Sequence, residues 1–141
     1  MAVRLTTPAD YPRMVQTWND SVTFTGAAVW TERDLTRRME DSLGHIDDIA
    51  GSWVITTPDP DGGREIYAYP LPLESWPELM FAHAAAFPPA TVTYCYVGPL
   101  ASNRLRNYLR RLYTRQTLEG GWERFSATMG EVVAKARTRT P

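Results

Sequence analysis

The sequence predicts an α/β protein with a single mixed, largely antiparallel sheet flanked by helices. Short segments rich in β-branched and aromatic residues alternate with segments of helical periodicity. Two of the predicted strands, at 52–57 and 64–71, are separated by "PDPDGG", which is typical of a hairpin turn. The 141 residues, of which 43% are hydrophobic and 22% charged, are enough for one core. We therefore expect one domain over residues 1–141.

The N-terminal segment predicts a short strand at 3–6 followed by a helix. Thr7 is a suitable N-cap residue, Pro8 suits the first helical position, and Asp10 lies three residues after the cap. Apolar residues then recur at helical spacing and indicate the face that meets the core. These residues are Met14, Val15, Trp18 and Val22.

A second helix is predicted to begin after Thr31. Thr31 and Asp34 have the spacing of a capping box, and Gly44 is the type of residue that commonly ends a helix. This interpretation makes 31–44 a single helix and places the hairpin directly after it.

The C-terminal half predicts an apolar helix at 76–87, a buried strand at 91–97, and two further helices at 102–118 and 122–137. The pair Gly120–Gly121 is interpreted as the break between those two helices. The predicted order is therefore β-α-α-β-β-α-β-α-α.

Charge and composition narrow the function. A formal net charge of -1 argues against nucleic acid as the partner, although residues 104–115 carry five arginines and no acid. No apolar run approaches the roughly 20 residues that span a membrane, and no signal peptide is evident, so we expect a cytoplasmic protein. The single cysteine, Cys95, excludes an internal disulfide, and no residues have metal-ligand spacing.

Several short motifs resemble the GNAT superfamily of acetyltransferases, in particular its phosphinothricin-type members. The matching segments are "VRLTTPADYP", Asn19, "VWTER" and "TVTYCYVGP", which together span roughly residues 3–112. The resemblance implies acetyl-CoA or another acyl-CoA as donor, and a small molecule or a protein amine as acceptor. It places the family's fourth strand at 91–97.

In the family, a glycine-containing turn after the fourth strand holds the coenzyme A diphosphate through backbone N–H groups. Here the segment after 91–97 is "GPLASNRLRN", with no glycine beyond Gly98. We expect side chains to replace the glycine turn. The candidate cofactor-binding residues are Tyr96, Val97, Ser102, Asn103, Arg104 and Arg106.

The family pattern also implies a glutamate on the fourth strand as general base, but the matching positions are Val92 or Thr93. The remaining catalytic candidates are Tyr94 and Tyr96 as acids for the thiolate, and His83 as a base. Each has a structural alternative, since tyrosines pack on sheets and a lone histidine on an apolar helix is often a core residue. The C-terminal segment reads as helix, so the fold is expected to be abbreviated.

The sequence thus favours a GNAT-like acyl-CoA-dependent N-acyltransferase with an atypical or lost coenzyme A loop. The alternative is a non-catalytic interaction or assembly protein, including a homo-oligomer. Its contact surfaces would be the apolar helix at 76–87 and the arginine-rich helix at 102–118.

Overall fold

A computed structural model describes residues 2–25 and 27–139, which form seven strands and five α-helices. The strands are β1 (Val3–Leu5), β2 (Leu43–Asp47), β3 (Trp53–Pro58), β4 (Arg64–Tyr69), β5 (Val92–Val97), β6 (Thr114–Thr117) and β7 (Glu123–Thr128). The helices are α1 (Tyr11–Thr25), α2 (Glu32–Met39), α3 (Trp76–Ala84), α4 (Asn103–Leu112) and α5 (Met129–Arg139). None of the helices in the described ranges is long and apolar enough to cross a membrane.

The strands form one sheet in the order β1-β2-β3-β4-β5-β7-β6. Among the described residues, every neighbouring pair is antiparallel except β4 and β5, which run parallel. The predicted fold class, a mixed and largely antiparallel sheet flanked by helices, is confirmed.

Alternating side chains of the strands divide the core into two layers. On one face, Trp53 and Ile55 of β3 pack with residues of α1 and α2. On the other face, Val54 of β3 and Phe125 of β7 pack with α3, α4 and α5. The N-terminal caps form as predicted: the Thr31 hydroxyl accepts from the Asp34 N–H at 3.2 Å, a contact that fixes the start of α2.

The predicted helix end at Gly44 is wrong, because α2 ends at Met39 and Gly44 lies inside β2. A Cβ at this position would lie 2.6 Å from the Thr6 hydroxyl oxygen and 2.7 Å from a methyl group of Ile55. The glycine therefore serves close packing of the strands, not a helix cap. One additional strand precedes the hairpin.

The predicted helices at 102–118 and 122–137 are also wrong in their extents, and the C-terminal half is not shortened. Residues 114–128 form the hairpin β6–β7, which adds two strands to the sheet. Gly120 and Gly121 have φ values of 69° and 82° in the connecting loop, a conformation that glycine adopts without strain. The element order is therefore β-α-α-β-β-β-α-β-α-β-β-α rather than the predicted one.

The apolar helix predicted at 76–87 is α3, and its apolar face is buried in the protein's own core. Trp76, Leu79, Met80 and Ala84 are each at most 3% exposed, and the helix packs against α5. These four side chains are therefore not available for the contact surface expected at 76–87, because they pack in the protein's own core.

Candidate functional site

The parallel strands β4 and β5 pair only at their beginnings. Their partners in register are Arg64 with Thr93 and Glu65 with Tyr94. Beyond this point β4 pairs only with β3, and β5 only with β7. Beyond the Glu65–Tyr94 pair, the backbone N–H and C=O groups of β4 and β5 that point towards the other strand have no strand partner.

A cavity of about 290 Å³ lies where the two strands separate. The cavity extends through the sheet from one face to the other, since residues of both core layers contribute to its wall. The strands contribute Glu65, Ile66, Tyr67, Ala68, Cys95, Tyr96 and Val97. A predominantly apolar cavity with a few polar groups is typical of a small-molecule site.

Glu65 is the carboxylate in this wall, and it lies at the last residue pair before the strands diverge. Its side chain is half-buried. The Tyr67 hydroxyl lies nearby on the same face of β4, and burial first, then the Glu65 carboxylate, raises the pKa of Tyr67. A carboxylate in this position can accept a proton from a ligand held in the cavity.

An aromatic wall closes the cavity on the α1–α2 side. The indole rings of Trp18 and Trp30 stack with 3.9 Å between centroids, and Trp18 donates to the Ala28 carbonyl oxygen at 2.7 Å. The Arg38 guanidinium lies over the rings of Tyr67 and Trp30, at 4.3 and 5.0 Å from their centroids. These stacked groups hold one another in place and form a rigid side of the cavity.

The opposite wall contains two buried polar groups. The indole N–H of Trp76 and the hydroxyl of Tyr113 are inaccessible; they interact with each other, although neither makes a hydrogen bond of good geometry within the described residues. Both residues line the cavity and are at most 4% exposed. Burying polar groups without a well-formed hydrogen bond lowers the stability of the folded protein.

The structure separates the two tyrosines proposed from the sequence. Tyr96 lines the cavity and is 47% exposed. The Tyr94 hydroxyl instead donates to an Asp59 carboxylate oxygen at 2.5 Å, outside the cavity. Burial and this carboxylate raise the pKa of Tyr94, so it is poorly placed to donate a proton to a ligand. Burial likewise raises the pKa of the Cys95 thiol to about 12, which keeps it protonated.

His83 does not reach the cavity. It is fully buried between α3 and the sheet, where its Nδ1 lies 2.8 Å from Nδ1 of His45 and its Nε2 lies 2.9 Å from the Thr56 hydroxyl. The Arg64 guanidinium donates to that hydroxyl at 3.0 Å. Burial, then the charges of His45 and Arg64, lower the pKa of His83 to about 3. We therefore do not propose His83 as the base.

The histidine pair predicts a loss of stability in mild acid. Burial lowers the pKa of both histidines in the folded chain, that of His83 to about 3, whereas the histidines of the unfolded chain take up protons near pH 6.5. The two histidines therefore leave the free energy of unfolding unchanged above about pH 6.5. Below that pH they lower it by up to about 1.4 kcal/mol per pH unit for each histidine. Urea unfolding measured between pH 5 and 7 should show this slope, and His83→Gln should reduce it. An unchanged slope in the variant would contradict the prediction.

The loop between β5 and α4 is held from inside by Arg106. This side chain is 8% exposed, and its guanidinium donates to the Gly98 carbonyl oxygen and to the Glu123 carboxylate. Arg106 therefore cannot reach a bound anion, contrary to the expectation from the sequence. The Ser102 hydroxyl accepts the Leu105 N–H at 3.2 Å and serves as the N-cap of α4.

Two of the other expected cofactor contacts are accessible. Asn103 and Arg104 form the first turn of α4 and are exposed. Arg104 also forms an ion pair of 3.6 Å with Glu74, with both side chains 75% exposed. Among the described residues, no group of three potential metal ligands is present.

No family model matches the sequence, and no curated protein matches it. Solved structures do match. The GNAT domain of S. lividans PAT has 17% identity and a TM-score of 0.63, with 89% of each chain covered. The aminoglycoside acetyltransferase AAC(6')-Ib, in complex with coenzyme A and kanamycin, has 17% identity and a TM-score of 0.62, with 99% of each chain covered. The ribosomal-protein-S5-alanine acetyltransferase from Vibrio fischeri has 9% identity and a TM-score of 0.51, with 89% of this chain and 91% of that one covered.

The chain has the GNAT fold. The strand order now corrects the motif assignment made from the sequence. Because β2 was missed there, the segment at 92–97 was counted as the fourth strand, whereas it is the fifth. The fourth strand is β4, and it carries Glu65.

The corrected count also changes the position at which the resemblance implies a cofactor turn. The segment that follows the fourth strand is 70–75, "PLPLES", and not the loop after β5. Sequence reasoning missed Glu65 for the same reason. The sequence does carry a signal, since "REIYAY" is the only predicted strand with a glutamate before its aromatic residues. The glutamate that the resemblance implies was sought at 91–97, because that segment was taken as the fourth strand.

Proposed function

We propose that this protein is an N-acyltransferase that moves an acyl group from a thioester such as acyl-CoA to an amine. The observation that carries the proposal is Glu65, a half-buried carboxylate at the point where β4 and β5 separate around the cavity. The GNAT fold and the complex of AAC(6')-Ib with coenzyme A and kanamycin support this reading.

The reaction assigns separate tasks to the cavity's groups. Glu65 takes a proton from the acceptor's ammonium group, and the free amine nitrogen then attacks the thioester carbon. The new carbon–nitrogen bond forms as the carbon–sulfur bond breaks, and the sulfur leaves as a thiolate. Tyr96, which lines the cavity, can give its proton to that sulfur and take up the proton that the attacking nitrogen loses as it becomes an amide. Glu65 then releases its proton to solvent.

The charge that develops on the thioester oxygen needs hydrogen-bond donors. The facing edges of β4 and β5 supply backbone N–H groups where their pairing ends, and those near Tyr96 and Val97 lie in the cavity wall. We assign the side of the cavity enclosed by Trp18 and Trp30 to the acceptor. A small-molecule amine fits this enclosed side; a protein amine and a homo-oligomer stay as predictions from the sequence.

Thermal unfolding with acetyl-CoA tests the binding step. A ligand at 100 times its dissociation constant stabilises the folded state by about 2.7 kcal/mol, so the melting temperature should rise clearly. Release of free thiol in the presence of a panel of amines then tests the chemical step. ATP at the same concentration is the control, since it carries phosphates without a thioester arm. The proposal is wrong if millimolar acetyl-CoA neither raises the melting temperature nor gives amine-dependent thiol release.

A further inference from the structure

We propose that the donor site recognises the acyl-pantetheine arm of its thioester and does not hold the nucleotide diphosphate of coenzyme A. The inference rests on the proposed function and names the part of the donor that the protein binds. Its chemical consequence is that any acyl-pantetheine thioester serves as donor, with or without the nucleotide.

The cavity has the polar groups that a pantetheine arm needs. The arm is a chain with two amides and little charge, and the wall between α3 and α4 is apolar apart from the polar atoms of Trp76, Tyr108 and Tyr113. The indole N–H of Trp76 and the hydroxyl of Tyr113 interact with each other and are inaccessible, so they are not the groups that bind the arm. Beyond the Glu65–Tyr94 pair, backbone N–H and C=O groups of β4 and β5 point into the gap between the strands and can hydrogen-bond the amides of the arm.

The segment after β4 lacks the donors that a diphosphate needs. Pro70, Pro72 and Pro77 have no N–H group. The N–H groups of Ser75 and Trp76 donate to carbonyl oxygens within the same turn. The Ser75 hydroxyl is also engaged, at 2.8 Å from the carbonyl oxygen of Pro72 and from the hydroxyl of Ser52. Five of the eight backbone positions at 70–77 therefore offer no free N–H group, and those of Leu71, Leu73 and Glu74 remain.

The charges of the same turn are unfavourable for an anion. Glu74 and Glu78 are exposed at the beginning of α3, and Arg104 is the cation that pairs with Glu74. Two carboxylates against one guanidinium leave a local excess of negative charge. Arg106, which the sequence offered as a second cation, is buried and bound to Glu123.

The test compares S-acetylpantetheine with acetyl-CoA on the intact protein. Dissociation constants are measured from tryptophan fluorescence, since Trp30, Trp76 and Trp122 line the cavity, and kcat/KM is measured with one amine. We expect the two donors to agree within about 3-fold. A diphosphate held by two or more charge-assisted hydrogen bonds would instead make acetyl-CoA at least about 100-fold better.

A double variant, Glu74→Gln with Glu78→Gln, provides the matched control. Both side chains are exposed, so the fold should not change. We expect it to strengthen acetyl-CoA binding by about 5-fold and to leave S-acetylpantetheine unchanged, because only the former brings phosphates to this turn. An equal response of both donors would overturn the proposal.

The outcomes also separate this inference from the proposed function. If both donors support amide formation but acetyl-CoA is at least about 100-fold better, the inference is wrong and N-acyl transfer stands. If neither donor binds nor reacts, both are wrong. Comparable binding and turnover of the two donors supports both.

Discussion

Replacing Glu65 with glutamine is expected to lower the rate of acyl transfer by about 10²–10⁴-fold, the usual contribution of a general base. Glutamine keeps the size and hydrogen-bonding reach of the side chain but cannot accept a proton from an ammonium group. Donor binding, measured by fluorescence, should be unchanged, because the carboxylate acts on the acceptor. The effect should therefore appear in kcat/KM for the amine.

The pH profile distinguishes a base from a merely structural residue. An alkylamine has a pKa near that of lysine, about 10.4, so it loses its proton without help at high pH. The activity of Glu65→Gln should accordingly rise towards that of the unchanged protein as the pH approaches this value. Glu40→Gln, an exposed substitution at the end of α2, is the control. A Glu65→Gln protein with more than about a tenth of the original activity near pH 7 would rule out this role.

Replacing Arg106 with methionine is expected to lower the free energy of unfolding by about 3–5 kcal/mol. The Glu123 carboxylate is 6% exposed, and Arg106 is its close partner. Arg115 and Arg110 lie farther away, at 3.4 and 3.8 Å, and are partly exposed. Without Arg106, a buried carboxylate loses its main compensation, and the Gly98 carbonyl oxygen loses a donor.

Urea unfolding measures this effect, with an unchanged slope showing that the same surface is exposed. The double variant Arg106→Met with Glu123→Leu should recover most of the lost stability, because it removes both members of the pair. Arg111→Met, on the exposed face of α4, should change stability by no more than about 0.5 kcal/mol. If Arg106→Met is no more destabilising than Arg111→Met, the buried pair does not have the stabilising role assigned here.

Local sequence signals placed many of the elements correctly. The capping boxes at Thr7 and Thr31, the turn "PDPDGG" and the alternating strand at 92–97 all depend on interactions within a few residues. The errors arose where the role of a residue depends on a contact with a residue distant in sequence. Gly44 resembles a helix cap in the sequence, but in the structure its lack of a side chain leaves room for Thr6 and Ile55.

The hairpin β6–β7 was missed for a related reason. The four residues of β6 are all exposed, so they have no inward-facing apolar pattern. In β7 the inward positions are Glu123, Phe125 and Ala127, and the charged residue at the first of them conceals the alternation. That position tolerates a carboxylate only because Arg106, 17 residues earlier in the chain, lies against it.

The sequence by itself determined the fold class and the GNAT resemblance, since both follow from local patterns of caps, turns and alternating side chains. Only the tertiary structure decided which strand is the fourth, because that count depends on β2, and β2 depends on packing around Gly44. With that count, Glu65 belongs to the fourth strand and lies where β4 and β5 separate. The tertiary structure also shows that Arg106 and His83 are core residues. Whether a polar side chain can meet a ligand depends on its burial and on partners that are distant in sequence.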